Sequence, residues 1–380
     1  MNCFVIGAGK TRFGPSSHTM PRLAHEAILG ALDDAGMSIE DIGAFVVANF
    51  LGGPNESQLH LNSVIAGLFP GINRPGWRVE AACASGGAAI HQAALMLGAY
   101  DPILVVGIER LSGRPGGELT RNIGMAGDVI LDQSQGLNFP ATYALVAQRH
   151  MQRYGTQTRD FELVSLKNHA NAQLNPLAHF HHKRVTQADI DAGVTVAAPL
   201  RLFDCCPVSD GAAAVVLSAQ ARDARSVPLI GTGLSTDVIS LSQRTDHTSF
   251  ASAREAARMA YEQAGITASQ VDFAEVHDCF TIAEIVAMED LGLVRPGEAV
   301  DLIRAGETGV EGEIPVNPSG GLKAGGHAIG ATGVSQVYEA CKQLRGEAGK
   351  RQVPDARVAV THNVGGVGGT CAVQVLGRPS

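Results

Sequence analysis

The chain carries one segment twice, and this duplication limits its fold more than any other feature. Residues 24–47, AHEAILGALDDAGMSIEDIGAFVV, align without a gap on residues 253–276, AREAARMAYEQAGITASQVDFAEV, at an offset of 229. Ala27/Ala256, Ala31/Ala260, Ala35/Ala264, Gly36/Gly265 and Val47/Val276 coincide. Each copy reads as a helix of strong formers, a glycine stop, a short polar link and a strand. An apolar strand precedes each helix, over 3–8 and 227–231, and a similar strand closes each half from Gly211 and from Gly369. Strands alternating with helices predict right-handed βαβ units in a largely parallel sheet covered on both faces. The expected class is α/β, with duplicated halves at 1–218 and 227–380 stacked as an α/β/α/β/α body.

The halves differ at one place. In the second, the strand at 356–362 leads almost directly to Gly369. In the first, about a hundred residues separate the strand at 102–108 from Gly211, far beyond an ordinary loop. The inserted segment, roughly 110–205, contains a helical stretch at 141–153 and reads as a separate lobe laid over a site.

With 45% hydrophobic and 17% charged residues among 380, the chain has material for two core units or one duplicated architecture. Its formal charge of −8 argues against broad binding to nucleic acid or anionic membranes. No apolar run reaches the ~20 residues that span a bilayer. Neither a leader nor a peroxisomal address is read at the ends, so a cytoplasmic location is expected. The seven cysteines are odd in number and lack C-x-x-C spacing, which suggests neither a disulfide framework nor a zinc site.

Two of these cysteines have neighbours that suggest chemistry. Cys83, in Glu80-Ala-Ala-Cys-Ala-Ser-Gly-Gly, sits between a short strand and a helix over 84–97. A helix N-terminus favours a thiolate through its dipole and free N–H groups. A core cysteine beside an Ala/Gly-rich packing helix fits the position equally. Cys279 follows His277 in Val276-His-Asp-Cys-Phe, at the carboxyl end of a strand and ahead of a helix over 283–291. Catalytic groups gather at such strand ends, although a buried histidine bonded to a carbonyl is the plainer alternative. Asp278 and Glu284 read as caps. His327 lies in Gly325-Gly-His-Ala-Ile-Gly-Ala-Thr-Gly, whose glycines imply close ligand approach or simply a turn. His362-Asn-Val-Gly365-Gly-Val-Gly-Gly offers N–H groups for half of an oxyanion hole.

In this order, over essentially the whole chain, these four segments resemble the motif set of the thiolase family. The Cys83 segment resembles its nucleophile loop, the His327 segment its histidine loop, and the last glycine-rich turn its oxyanion loop. The resemblance implies the duplicated five-layer fold with an inserted covering lobe. It also implies an acyltransferase that cleaves a 3-oxoacyl-CoA with CoA into two acyl-CoA products, or runs the reverse Claisen condensation, through an acyl-cysteine. Cys83 would be the nucleophile, His327 its base, and Cys279 the acid/base at the α-carbon. His277 would join His327 at the substrate oxyanion, and the main-chain N–H groups of Cys83 and Gly365 would form a second oxyanion hole. Coenzyme A is expected as substrate and product, without a metal or other bound cofactor, and Gly325, Gly326, Lys183 and Arg184 are its candidate contacts. A homodimer or dimer of dimers is implied, as is a small zinc-ribbon/OB-fold partner protein.

Better-known thiolases carry Asn-Glu-Ala-Phe where this chain has His277-Asp-Cys-Phe, and a second cysteine where Asn363 stands. The pattern here is similar to the sterol-carrier-protein type and the archaeal type, whose acid/base cysteine comes from His-Asp-Cys-Phe. Ala328 replaces the usual proline, with no loss of activity expected. A ketoacyl synthase would need one cysteine and two histidines, and Cys279 argues for a thiolase instead. A non-catalytic acyl-CoA-binding or scaffold subunit is the rival from another class, and it leaves four reactive side chains without a task. Gly7-Ala-Gly-Lys-Thr lacks the first glycine of a phosphate loop and reads as a strand-end turn. His179-Phe-His-His-Lys-Arg reads as a solvated loop, and Cys205-Cys206 as packing where the lobe rejoins the core.

Overall fold

In the computed structural model, which describes residues 2–379, the repeat becomes two half-sheets. The first half contains β1 (Phe4–Lys10), β2 (Ala44–Ala48), β3 (Gly76–Val79) and β4 (Ile103–Glu109). A ribbon of β5 (Thr195–Ala197) and β6 (Leu200–Arg201) lies in the insertion, and β7 (Gly211–Ser218) closes the half. The second contains β8 (Val227–Thr236), β9 (Phe273–Glu275), β10 (Val358–Gly365) and β11 (Thr370–Gly377). The strand order is β3-β2-β4-β7-β1-β8-β11-β10-β9. Outward from the β1–β8 seam the two halves repeat the same order, β1-β7-β4-β2 matching β8-β11-β10-β9. Among the described residues only Phe4↔Pro228 and Val5↔Val227 pair across the seam, so it joins two sheets rather than extending one.

The expected parallel sheet is interrupted once in each half. β7 and β11 run antiparallel to both neighbours, whereas β2 is parallel to β3 and β4, and β9 to β10. The turn 366–369 between β10 and β11 is too short for the crossover a parallel return requires.

Five layers result. Helices Ser85–Met96 and Thr332–Leu344 fill the middle, where Ile90, Ala93, Val334 and Val337 share a core with Val5 and Val215 of one sheet and Leu229 and Ala359 of the other. Helix Met20–Ala35 covers the outer face of the first sheet through Ala24, Ala27, Ile28 and Ala31. Helix Ala251–Ala264 covers the second through Ala253, Ala256 and Ala260.

The repeated sequence specifies a repeated contact. A Cβ on Gly7 or Gly9 would come within 2.2 or 2.3 Å of the Ala31 or Ala27 carbonyl. On Gly231 or Gly233 it would meet the Ala260 or Ala256 carbonyl at 2.1 or 2.0 Å. Glycine in these strands lets a helix lie directly on the sheet. Gly7-Ala-Gly-Lys10 is therefore part of β1 itself, and its glycines serve packing. The inserted segment packs onto the second half: Tyr143, Val146, Ala147, Phe161 and Val164 share a core with Phe280 and Ile282. No helix among the described residues is long and apolar enough to cross a membrane.

Candidate active site

Cys83 stands at the tip of a strained turn. Ala82, just before it, has φ 50°, a left-handed conformation that costs a non-glycine residue about 1–2 kcal/mol. Ser85 holds that turn, its hydroxyl accepting from the Ala81 N–H at 2.9 Å and donating to the Ala82 carbonyl at 2.6 Å. Helix Ser85–Met96 then crosses helix Thr332–Leu344 at bare backbone. A Cβ on Gly86 would lie 2.7 Å from the Gly333 nitrogen, and one on Gly333 2.2 Å from the Gly87 nitrogen. Two glycine-bearing helix starts thus bring the Cys83 turn beside the loop that carries His327.

His277 enters from the end of β9. Its ring centroid is 5.1 Å from that of His327, at 86°. The Cys83 sulfur and a ring nitrogen of each histidine lie within 4.8 Å of one another, all buried. The hydrogen bonds around the rings assign their tautomers. Asn363 is oriented by the Gly87 N–H, which reaches its Oδ1 at 3.0 Å, while its Nδ2 donates to the Cys83 carbonyl at 2.9 Å. The same Nδ2 faces His277 Nδ1 at 3.2 Å, so Nδ1 accepts and the proton sits on Nε2. Among the described residues that Nε2 has no hydrogen-bond partner. At His327 the pattern is reversed. The Thr332 hydroxyl donates to the Ala328 carbonyl at 3.1 Å, and accepts from His327 Nδ1 at 2.7 Å. His327 Nε2 is therefore a bare base, whereas His277 Nε2–H is an unspent donor.

Burial holds both rings neutral: it pushes His327 down to about 3, and, with the neighbouring His327 and His362, lowers His277 well below its ordinary value. A metal on this trio would need both Nε2 atoms bare, which the Asn363 contact opposes at His277. Burial pushes the Cys83 thiol up to about 12, against the pull of the Gly366 and Cys83 N–H groups. The helix start does not make a resting thiolate, so a base must take the proton. The N–H facing the sulfur belongs to Gly366 (φ 64°), one residue beyond the expected Gly365, which is still paired with Thr370 in the β10–β11 ladder.

Cys279 and Cys83 line one cavity of about 340 Å³, together with His327, Gly366, Phe139 and Ile329. Its walls are mostly apolar and include Leu111, Ile123, Val208 and Phe280. Burial, the Cys206 and Cys83 sulfurs and the Asp278 carboxylate raise the Cys279 thiol, and the Tyr143 hydroxyl opposes them. Cys205 and Cys206, expected to pack where the lobe rejoins the core, do pack against the core of the second half and line this cavity as well. Their segment crosses the site as an irregular strand: Cys205 bridges Phe280, the Cys206 N–H donates to the Cys279 carbonyl at 2.9 Å, and Val208 bridges His327. A larger open groove of about 1040 Å³, lined by Arg254, Tyr261 and Arg295, shares no residue with the cysteine cavity.

The remaining expected contacts lie elsewhere. Gly325 and Gly326 are buried within the histidine loop, and the cavity takes His327 and Ile329 from that segment instead. Lys183 and Arg184 are exposed and outside the cavity wall, Lys183 resting over Phe180 and Phe203 at 5.4 and 5.6 Å. His179 braces the site indirectly, through Ser209, whose hydroxyl also accepts from the His327 N–H at 3.2 Å.

Of the supporting residues, Asp278 and Glu284 read as caps in the sequence, whereas Asn168 and Glu109 carry no signal there. Asp278 accepts from the Leu322 and Lys323 N–H groups at 2.6 and 3.2 Å, tying the Cys279 segment to the histidine loop. Asn168 of the insertion donates to both Asp278 and Glu284, at 2.8 and 2.7 Å. Glu109, at the end of β4, accepts from the N–H groups of Phe50, Leu51 and Gly330, and burial raises its carboxyl to about 7.

Comparison with known proteins gives this geometry a family. Residues 3–221 match the family model "Thiolase, N-terminal domain", and residues 233–378 match "Thiolase C-terminal domain-like". The chain is 44% identical to an acetyl-CoA acetyltransferase of Methanothermobacter thermautotrophicus, over 98% of this chain and 99% of the relative. It is 34% identical to human sterol carrier protein 2, over 97% of this chain and 71% of that protein. Among solved structures, the Ltp2-ChsH2(DUF35) aldolase superposes with a TM-score of 0.85 at 24% identity, covering 99% of this chain and 97% of that one. Human mitochondrial 3-ketoacyl-CoA thiolase superposes with a TM-score of 0.74 at 17% identity, covering 100% and 99%. With the two family models together matching most of the chain and close relatives aligned over their length, the chain belongs to the thiolase family and is an acyltransferase of that type.

Proposed function

We propose that this thiolase works through Cys83 as nucleophile, His327 as its base, Cys279 as the acid/base at the α-carbon, and His277 as an oxyanion donor. The observation that carries the reading is the pair of opposite tautomers at one sulfur: a bare Nε2 on His327 and a free Nε2–H on His277.

In the condensing direction His327 takes the Cys83 proton, and the sulfur attacks the thioester carbonyl. Collapse of the tetrahedral adduct breaks the carbon–sulfur bond to CoA, whose sulfur leaves with the proton of Cys279. Main-chain N–H groups at Cys83 and the 365–366 turn hold the adduct's oxyanion, each worth about 3 kcal/mol in the transition state. The Cys279 thiolate then takes an α-proton from a second acyl-CoA. The electron pair moves into an enolate whose oxygen meets His277 Nε2–H and the protonated His327. The enolate carbon attacks the acyl-Cys83 carbonyl, and collapse expels the Cys83 sulfur, which recovers its proton from His327. Thiolysis is the reverse.

The names of the relatives support acetyl-CoA as an acyl donor. Acetyl-CoA labelled at its α-carbon is expected to exchange its protons with solvent in the parent enzyme and to lose exchange in Cys279→Ala. Undiminished exchange would remove Cys279 from the mechanism.

The halves 1–218 and 227–380, with 110–205 as the covering lobe, are the proposed functional division. A cytoplasmic homodimer or dimer of dimers is proposed, with β3 as the docking edge: it ends the sheet, its four residues are half-buried, and among the described residues its outer backbone groups have no neighbouring strand. The similarity to the two-component Ltp2-ChsH2(DUF35) aldolase supports a small partner protein, proposed here as a zinc-ribbon/OB-fold polypeptide.

A further inference from the structure

The covering segment sets one side chain against the Cys279 loop and the Gly366 turn. Tyr143, on helix Phe139–Tyr154, is 1% exposed. Its ring stacks on Phe280, the residue after Cys279, with centroids 4.6 Å apart at 26°, and meets Phe250 edge-on at 6.3 Å. The two rings hold Tyr143 from two sides and fix where its hydroxyl points. There it donates to the Gly366 carbonyl at 3.2 Å, beside the Cys279 sulfur. Gly366 is also the residue whose N–H faces Cys83. A buried tyrosine commonly satisfies its hydroxyl on a carbonyl. Here the same hydroxyl adjoins a thiol that has to ionise in a dry, apolar cavity.

Cys279 has little other help in that task. Burial is the largest cause opposing its ionisation, and the Asp278 carboxylate adds to it. A hydroxyl has one proton and can turn about its C–O bond. With Cys279 as a thiol, the Tyr143 proton rests on the Gly366 carbonyl. With Cys279 as a thiolate, a charge-assisted bond to sulfur is the stronger choice.

We infer that Tyr143 is a positioning residue for Cys279, its hydroxyl turning from the Gly366 carbonyl to the Cys279 thiolate during the carbon–carbon half-reaction. The inference rests on Cys279 being the acid/base of the reading above. Tyr143 keeps its own proton throughout. The thiolate appears when Cys279 gives its proton to the departing CoA sulfur, and it disappears when the α-carbon–hydrogen bond breaks toward Cys279.

The full-length enzyme is to be compared with Tyr143→Phe, which keeps the ring and its stacking, and with Cys279→Ala. In Tyr143→Phe, acylation of Cys83 by p-nitrophenyl acetate, whose leaving group needs no proton from Cys279, is expected to stay within about twofold of the parent. Exchange of the α-protons of acetyl-CoA with D2O is expected to fall about tenfold or more in Tyr143→Phe, and its pH midpoint to move upward. Equal losses in the two reactions, or an exchange rate and pH profile that do not change, overturn the role of Tyr143. Exchange that survives in Cys279→Ala instead removes the Cys279 assignment. Exchange lost in Cys279→Ala but intact in Tyr143→Phe removes Tyr143 alone.

Discussion

The Nδ1 atoms of His277 and His327 face an amide and a hydroxyl, and those partners decide which Nε2 carries a proton. Replacing the amide by a carboxylate therefore tests the assignment with little change in shape. In Asn363→Asp the new oxygen near His277 accepts rather than donates, so the imidazole proton moves to Nδ1 and Nε2 becomes bare. The turnover number for thiolysis is expected to fall by about 10²-fold, the usual effect of losing one oxyanion donor. A change confined to KM would contradict the tautomer assignment. Cys83, Cys279 and His327 were legible because each sits in a short motif with recognisable neighbours. Asn363 was visible as a departure from the family pattern, but its hold on His277 depends on contacts to Gly87 and Cys83 from the other half of the chain. Tyr143 and Glu109 have no motif at all; they act on Gly366 and Gly330 across more than two hundred residues.

Strands and helices follow the repeat closely, because local periodicity and the Ala-Gly stops at Gly36 and Gly265 encode them. Both glycines are left-handed helix caps, with φ 59° and 68°. Strand direction was less legible: nothing local in the Gly211 strand shows that it returns antiparallel. The glycines inside strands and at helix crossings carry the element-scale information. Gly233→Ala forces a Cβ to 2.0 Å from the Ala256 carbonyl, where the backbone has no freedom to retreat. It is expected to destabilise the protein by about 2–3 kcal/mol in urea unfolding. Gly98→Ala, with nothing within 4 Å, is the control and should stay within about 0.5 kcal/mol. Gly333→Ala crowds the crossing that aligns Cys83 with His327. It is expected to reduce acylation of Cys83 by p-nitrophenyl acetate more than Gly233→Ala does, measured under conditions where both variants remain folded. Equal effects would mean that the crossing serves stability alone.

For the whole molecule, the burial that makes the site dry also sets the pH range in which the fold persists. Cys3, Cys83, Cys205 and Cys341 are each pushed up to about 12, with burial the largest cause. An unfolded chain ionises these thiols near 9, whereas the folded chain keeps them protonated. Between about pH 9 and 12 the unfolded state therefore binds fewer protons, and stability falls as pH rises, by up to about 1.4 kcal/mol per thiol per pH unit. Lys323, buried and lowered from its ordinary value, works in the opposite direction, but as one group against several. On the acid side the contributions oppose one another. His327 and His362, held down to about 3, lose stability as pH drops below 6.5, because the unfolded histidines take up protons first. Glu109 and Glu275, raised to about 7 and 8, gain stability on acidification through the range above 4.5. The urea midpoint is thus expected to vary little between pH 5 and 8 and to drop steeply above pH 9. The cause can be separated from general alkaline damage with Cys341→Ala, a buried cysteine outside the catalytic cavity. That variant starts less stable at pH 7, yet it should lose less stability than the parent between pH 9 and 10.5. Parallel curves for the two proteins would show that thiol ionisation does not set the alkaline limit.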